Sequence, residues 1–312
     1  MRYVIALDVG GTGMKAALVG PDGRLLHEAR RPTGRKRGPD AVTAAVLDFA
    51  DELRRVGADR YGTGPAAAGV VVPGILDEPE GVVRFSANLG WKDVPLRALL
   101  AERLGASLPV ALGHDVRTGG LAEGRIGAGA GVDRFLFVPL GTGIAGAIGL
   151  DGRVEAGAHG GAGEIGHVVV RPAGPECGCG QRGCLETMAS ASAVGRAWAA
   201  ASGDPAATAA DAARAVVAGD PRAVAVWQDA IDALATGLVT ALTLLDPRML
   251  IIGGGLAEAG DTLFTPLRGA VRDRVTFQRL PSIVPAALGD AAGCLGAGLL
   301  AWDLLSAEVA SR

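Results

Sequence analysis

The stretch "YVIALDVGGTGMKAALVGPDGRLLHEARR", residues 3–31, decides the fold. It reads as strand "YVIALDV", turn "GGTG", strand "MKAALVG", turn "PDGR" and strand "LLHEARR", because apolar β-formers are punctuated by glycine and Asp-Gly turn signals. The same order returns at 134–158 in "RFLFVPLGTGIAGAIGLDGRVEAGA", with a Gly-Thr-Gly turn and an Asp-Gly turn at matching places. From the first glycine to the Asp-Gly turn, the copy is two residues shorter than the original. Two copies alone point to duplicated lobes and not to a solenoid, which needs several repeats.

Outward from these hairpins, Asp40 is placed to cap a helix whose apolar residues Val42, Val46, Phe49, Leu53 and Val56 recur at spacings of three and four. "AAAGVVV" (66–72) is a buried strand stopped by Pro73-Gly74. Asp93 precedes a second helical pattern, Leu96, Leu99, Leu100 and Leu104, and "LPVALGHD" (108–115) is a further strand. Ala-rich helices are expected at 190–202, 206–218 and 221–245, a strand at 249–255 and a last helix at 292–305. No Pro- or Ser-rich linker separates the halves, so a clamped pair around one cleft is expected.

Composition bounds the function. A chain of 312 residues can bury a large core without staples, and 49% hydrophobic residues with 49 glycines fit close-packed α/β structure. A net charge of −3 gives no footprint for a nucleic-acid backbone, and the basic run "RRPTGRKRG" (30–38) reads as a solvated loop. The N-terminal apolar run is broken by Asp8, and "ALATGLVTALTLL" (233–245) stops at Asp246-Pro247, short of a membrane span. A cytoplasmic protein is expected, with no membrane or nucleic-acid partner.

The chemistry concentrates in a few places. In "DVGGTGMK" (8–15), Gly10 and Gly11 let backbone N–H groups approach phosphate oxygens, Thr12 adds a hydroxyl, and Asp8 could hold a hydrated Mg²⁺. A plain hairpin turn is the competing reading. The second turn, with Gly141, Thr142 and Gly143, favours a nucleotide gripped from two lobes, and Gly253, Gly254 and Gly255 would let a base or ribose lie against backbone. Asp115 either accepts a proton from a hydroxyl or caps a helix.

Of the four cysteines, Cys177, Cys179 and Cys184 form a C-x-C-x₄-C array, with His167 just upstream beside the strand-like "HVVVRP". Three thiolates and one imidazole complete a closed tetrahedral zinc site, which is structural in kind. Buried thiols beside an unrelated histidine are the alternative. Cys294 reads as plain core.

Together, "DVGGTGMK", "ANLGW", "LGTGIAGA", "GAGEIGH", "CGCGQRGCLE" and "IIGGGLAE" resemble, in order and over nearly the whole chain, the ROK family (repressor, open reading frame, kinase). The resemblance implies an actin-like (RNase H-like) two-lobed α/β sugar kinase fold with a central cleft. The lobes would comprise 1–117 plus 298–312, carrying the phosphate loop, and 118–297, carrying the second phosphate turn, the zinc and the adenosine site. It implies ATP, Mg²⁺ and structural Zn²⁺, a homo-oligomer (dimer or tetramer), and phosphoryl transfer to the 6-hydroxyl of a hexose or N-acetylhexosamine. Asp115 is similar to the family's base. Asn88, Glu164, His167 and Glu186 look like its sugar contacts, and Asp8, Gly10, Gly11, Thr12 and Lys15 like its first phosphate loop. The zinc would then pin the loop that presents Glu164, His167 and Glu186 to the sugar.

Two departures stand out. Around the base the family usually reads like "ENDAN", whereas this chain has "GHDVR", with Gly113, His114, Val116 and Arg117 as the new neighbours. "GGTGMK" also resembles the loop of polyphosphate-using glucokinases, which lack the His/Cys array, so ATP is the expected donor. Sugar-sensing repressors of the same family carry an N-terminal helix-turn-helix. Here the phosphate loop begins at Asp8, which disfavours that alternative, and Asp8, Asp115 and both glycine turns together argue against a sugar binder without catalysis.

Overall fold

The structure is a computed structural model that describes residues 1–310. It contains two compact units. The first comprises Met1–Ala122, Ala156–Gly161 and Asp290–Arg312, and the second comprises Glu123–Glu155 and Ala162–Gly289. Residues 118–122, 156–161 and 290–297 thus join the first unit in addition to those that the family resemblance assigns to the small lobe.

The first unit opens with β1 (Val4–Val9), β2 (Gly13–Val19) and β3 (Leu25–Pro32), followed by α1 (Pro39–Tyr61) and β4 (Ala68–Val72). A three-stranded antiparallel sheet follows, β5 (Ile75–Asp77), β6 (Val82–Ser86) and β7 (Trp91–Val94), and then α2 (Leu96–Leu104), β8 (Val110–His114) and α3 (Asp115–Ile126). The main sheet has the order β3-β2-β1-β4-β8; β1 pairs antiparallel with β2 and parallel with β4.

Alternation along β1 determines both faces. Ile5, Leu7 and Val9 pack in the cluster that holds Val42, Val46, Phe49 and Leu53 of α1. Val4 and Ala6 lie in another cluster, with Ala297 and Ala301 of the last helix, α9 (Ala292–Ala310). At Gly69 a Cβ would collide with the carbonyl of Ala297, so glycine there lets α9 lie directly on β4. Full burial of side chains like Phe49 contributes about 1.5–3 kcal/mol each.

The second unit repeats the plan with β9 (Arg134–Pro139), β10 (Ala147–Leu150) and β11 (Arg153–Glu155). The helices α4 (Leu185–Ala189), α5 (Ala191–Ser202), α6 (Ala209–Val217) and α7 (Pro221–Leu245) come next, then β12 (Met249–Gly253), α8 (Asp261–Arg272) and β13 (Ser282–Pro285). Its sheet order, β11-β10-β9-β12-β13, matches that of the first unit strand for strand, with the same two antiparallel and two parallel pairings. The helices start where capping chemistry dictates: Thr208 and Asp211 form a reciprocal capping box on α6, and Asp220 caps α7 ahead of Pro221.

By length and composition α7 could cross a membrane, but Trp227, Ile231, Leu234, Leu238 and Leu242 are buried in the core of the second unit.

Three local expectations are corrected. Gly38, not Asp40, is the N-cap of α1, because Pro39 occupies the first helical position and leaves Asp40 in the first turn. Asp115 opens α3 instead of ending β8. "HVVVRP" forms no strand: His167 ends a 3₁₀ turn, and Val169 makes only an isolated bridge to Cys184.

Candidate functional site

In the first unit, the turn between β1 and β2 closes through Gly10 N–H to the Gly13 carbonyl at 2.9 Å. Thr33, fully buried, donates its hydroxyl to the Gly10 carbonyl at 2.5 Å and its N–H to the Thr12 carbonyl at 3.1 Å. The basic run is therefore more than a solvated loop. Arg35, Lys36 and Arg37 stay exposed, but Thr33, two positions before Arg35, is fastened to the glycine turn.

Asp8 and Lys15 face each other in register on β1 and β2, and a groove of about 470 Å³ opens there, lined by Asp8, Gly10, Thr12, Lys15, Arg30 and Arg31 among others. Burial pushes the Asp8 carboxyl up to about 6; the ammonium of Lys15 opposes this, while Asp115 and Asp290 add to it. Lys15 Nζ pairs with Asp290 Oδ1 at 3.0 Å, and Arg30 pairs with Oδ2 at 2.9 Å. No local motif singles out Asp290; its signal is "GDAAG" directly before a helical stretch, a helix-start pattern that also delivers a carboxylate to Lys15.

Asn88 lies against the same turn, since a Cβ on Gly11 would sit 3.2 Å from the Asn88 Cβ. Asp115 sits at the start of α3, on the sheet edge carried by β8. Its Oδ1 accepts the N–H of Val116 at 2.8 Å and lies 3.3 Å from His114 Nδ1. Burial raises the carboxyl above the ordinary range, opposed by the Val116 N–H and by the charge of Arg117. A carboxylate of raised proton affinity, with its side chain still 29% exposed, has the properties that a general base needs.

The second unit repeats the device. Gly141 N–H bonds the Gly143 carbonyl at 3.0 Å, and the Gly141 carbonyl accepts the N–H of Ala191 at the start of α5. Glu186 packs on this turn: a Cβ at Gly143 would strike its Oε2, which accepts the Ile144 N–H at 2.8 Å. Each glycine turn thus touches one residue expected to hold sugar, Asn88 in the first unit and Glu186 in the second.

The third glycine run divides by role. The Leu140 N–H donates to the Gly253 carbonyl at 2.8 Å, and Gly254, at φ 77, presses so closely on Leu140 that a Cβ would lie 2.6 Å from its backbone. Gly255 has open space where a Cβ would go. It lines a cavity of about 390 Å³ with Ala210, Ala213, Arg214, Trp227 and Glu258. That mostly apolar recess, walled by α6 and α7, has the size for a flat aromatic base. Its helical wall was not found from the sequence, where these residues read only as helix.

His167, Cys177, Cys179 and Cys184 bring their donor atoms within 4.8 Å of one another. His167 Nδ1 is 3.6 Å from Cys177 Sγ, and the Sγ atoms of Cys179 and Cys184 are 3.7 Å apart. Zinc with Zn–S near 2.3 Å and Zn–N near 2.0–2.1 Å gives tetrahedral edges of about 3.8 and 3.6 Å, so the donors fit that ion. The Gln181 backbone N–H leads in drawing the Cys179 thiol down to about 7, while burial and its thiol neighbours push Cys184 up to about 12. The second ring nitrogen, His167 Nε2, is turned towards Glu164, 4.0 Å from Oε2. A metal-bound histidine commonly has its other nitrogen oriented by such a group. Cys294 is buried in α9.

The ROK family model matches residues 4–303 of the chain. A glucokinase of Thermotoga maritima is 35% identical to it over 313 residues, covering 94% of this chain and 95% of that protein. Among solved structures, a ROK hexokinase from Thermus thermophilus has a TM-score of 0.85 at 34% identity, covering 98% of this chain and 100% of its own. A ROK family glucokinase from Streptomyces griseus, in complex with glucose and AMPPNP, has a TM-score of 0.81 at 30% identity, covering 96% and 99%. With the duplicated sheets, these likenesses establish the actin-like (RNase H-like) α/β fold. The chain belongs to the ROK family.

Proposed function

We propose that this protein is an ATP-dependent sugar kinase that phosphorylates the 6-hydroxyl of a hexose or N-acetylhexosamine. The observation that carries the reading is Asp115: a carboxylate of raised pKa, on the same unit as a glycine turn that touches Asn88 and is flanked by Asp8 and Lys15. Phosphoryl transfer asks the protein mainly to position groups and neutralise charge, with one carboxylate accepting the hydroxyl proton. Asp115 takes that proton. Asn88, Glu164, His167 Nε2 and Glu186 hold the sugar hydroxyls, and the backbone N–H groups of the two glycine turns hold phosphate oxygens. The cavity beside Gly255 takes the adenine.

Mg²⁺ carried with ATP supplies charge neutralisation at the phosphates, and Asp8 is the carboxylate placed to hold it. Zinc on His167, Cys177, Cys179 and Cys184 has a structural role, fixing the imidazole so that Nε2 points to Glu164. Four free cysteines, three of them gathered as ligands, suit a reducing cytoplasm.

Glucose and N-acetylglucosamine are equally supported as substrates. Glycines 157, 160, 161 and 163 leave little side-chain bulk before Glu164, which tolerates an acetamido group without requiring one. A coupled kinase assay over glucose, N-acetylglucosamine, N-acetylmannosamine, mannose and fructose tests the reading. Turnover of at least one with MgATP supports it; tight sugar binding with no turnover of any would replace it with a sensing role.

A further inference from the structure

Arg117 lies among the residues that differ from the usual pattern around the base, and it is one of the few buried charges among the described residues. Its side chain is 8% exposed and extends from the first turn of α3, two positions after Asp115. One guanidinium nitrogen donates to Glu78 Oε1 at 2.8 Å, in the turn between β5 and β6. The other donates to the Gly160 carbonyl at 2.7 Å.

Gly160 belongs to 156–161, a segment that packs with the first unit although the chain on either side belongs to the second. Gly157 and Gly160 within it take positive φ angles, and it carries no regular secondary structure. Its internal Gly160 N–H to Gly157 carbonyl bond is long, at 3.4 Å. A planar guanidinium can hold two acceptors on separate segments at once, and a carboxylate on one side strengthens its grip; a lysine ammonium has no such fork. Four positions after Gly160 comes Glu164.

We propose that Arg117 is a positioning residue for the sugar: by clamping Gly160 to the helical turn that carries Asp115, it sets where the chain leading to Glu164 is held. The proposal rests on the assignment of Glu164 to sugar, and it explains why a large cation replaces the asparagine expected two positions after the base. The energetic logic is that of preorganisation. A flexible glycine segment costs entropy when it orders on a ligand, and a fixed donor bears that cost beforehand.

The test uses Arg117→Lys, Arg117→Met and Glu78→Gln in the full chain, with two readouts. Steady-state kinetics should show the sugar KM rising at least about tenfold in Arg117→Met, with the ATP KM within about twofold, and partial recovery in Arg117→Lys. Hydrogen exchange without any substrate should show faster exchange at 157–163 in Arg117→Met and Glu78→Gln, while β1 and β9 stay protected. Unchanged exchange at 157–163 in the folded variants would overturn the proposal, as would equal rises in both KM values. Exchange needs no turnover, so failure of the kinase reading, shown by a wild-type protein that phosphorylates none of the sugars, is told apart from failure of this one. Should Arg117→Met not fold, Glu78→Gln and Arg117→Lys decide by the same two readouts.

Discussion

Glu186 Oε2 accepts the backbone N–H of Ile144 at 2.8 Å, so the residue two positions after Cys184, one member of the His/Cys cluster, props the second Gly-Thr-Gly turn. The His/Cys loop and the second glycine turn are therefore one mechanical piece within the second unit. The first unit has the parallel contact of Asn88 on Gly11. In each half of the duplicated fold, a residue assigned to sugar rests on a glycine turn assigned to phosphate.

That arrangement predicts coupled kinetic losses. Removing the carboxylate in Glu186→Ala deletes a charge-assisted hydrogen bond worth about 1.5–3 kcal/mol, so kcat/KM should fall by about ten- to a hundredfold for sugar and for ATP alike. Glu164→Ala, by contrast, should raise the sugar KM and spare that for ATP. Steady-state titration of each substrate at saturation of the other separates the two patterns; a Glu186→Ala defect confined to sugar would refute the coupling.

The glycines at 254 and 255 should behave differently. A side chain at Gly254 collides with the Leu140 backbone, so Gly254→Val should lower stability and damage the second turn. Gly255→Val points into open space beside the 390 Å³ cavity, and should raise the ATP KM by about tenfold or more while leaving thermal stability and sugar KM near wild type. A Gly255→Val enzyme with normal ATP kinetics would remove the adenine from that cavity.

Zinc content is checked by elemental analysis. One zinc per chain is expected, and structural sites of this kind contribute on the order of 10 kcal/mol to local folding. Cys179→Ser should lose the metal, thermal stability and sugar affinity together, because His167 then loses its fixed orientation. Fully folded, active protein without zinc would contradict this.

The pH dependence follows from Asp115. Its folded pKa is raised, mainly by burial, so its stability contribution is whole below the ordinary carboxylate range and is lost as pH rises through the folded value. At neutral pH the ionised group therefore weakens the fold. Asp115→Asn should be more stable than wild type in urea at pH 7.5, and the gap should close as the pH falls below the ordinary carboxylate range. Urea titrations at several pH values measure it; a gap that widened in acid would reverse the sign.

Much of this was legible in the sequence, for identifiable reasons. The hairpins at 3–31 and 134–158 announce themselves because glycine and Asp-Gly turns are local signals, and the close spacing of the three cysteines already signals the cluster that they form with His167. What escaped depends on distant packing. Gly119 and Gly120 give α3 poor helix propensity, yet α9 packs so closely on it that a Cβ at Gly296 would strike Thr118. The β-branched run after His167 reads as strand, but the Gly183 carbonyl takes the Val170 and Arg171 N–H groups, and the His/Cys loop claims the segment. The roles of Asp290 and Arg117 depend on partners far along the chain, Lys15 and Gly160, which no local pattern reveals.

The central claim is that Asp115 is the proton acceptor, and turnover of Asp115→Asn tests it most directly. Asparagine keeps the size and one acceptor oxygen, so it can still accept the Val116 N–H as the aspartate does. General-base help is worth about 10²–10⁴ in rate. The account predicts a kcat lower by at least that range, with sugar affinity by calorimetry within about tenfold of wild type. A mutant that keeps near-wild-type turnover would show that Asp115 only organises the start of α3, and would contradict the account.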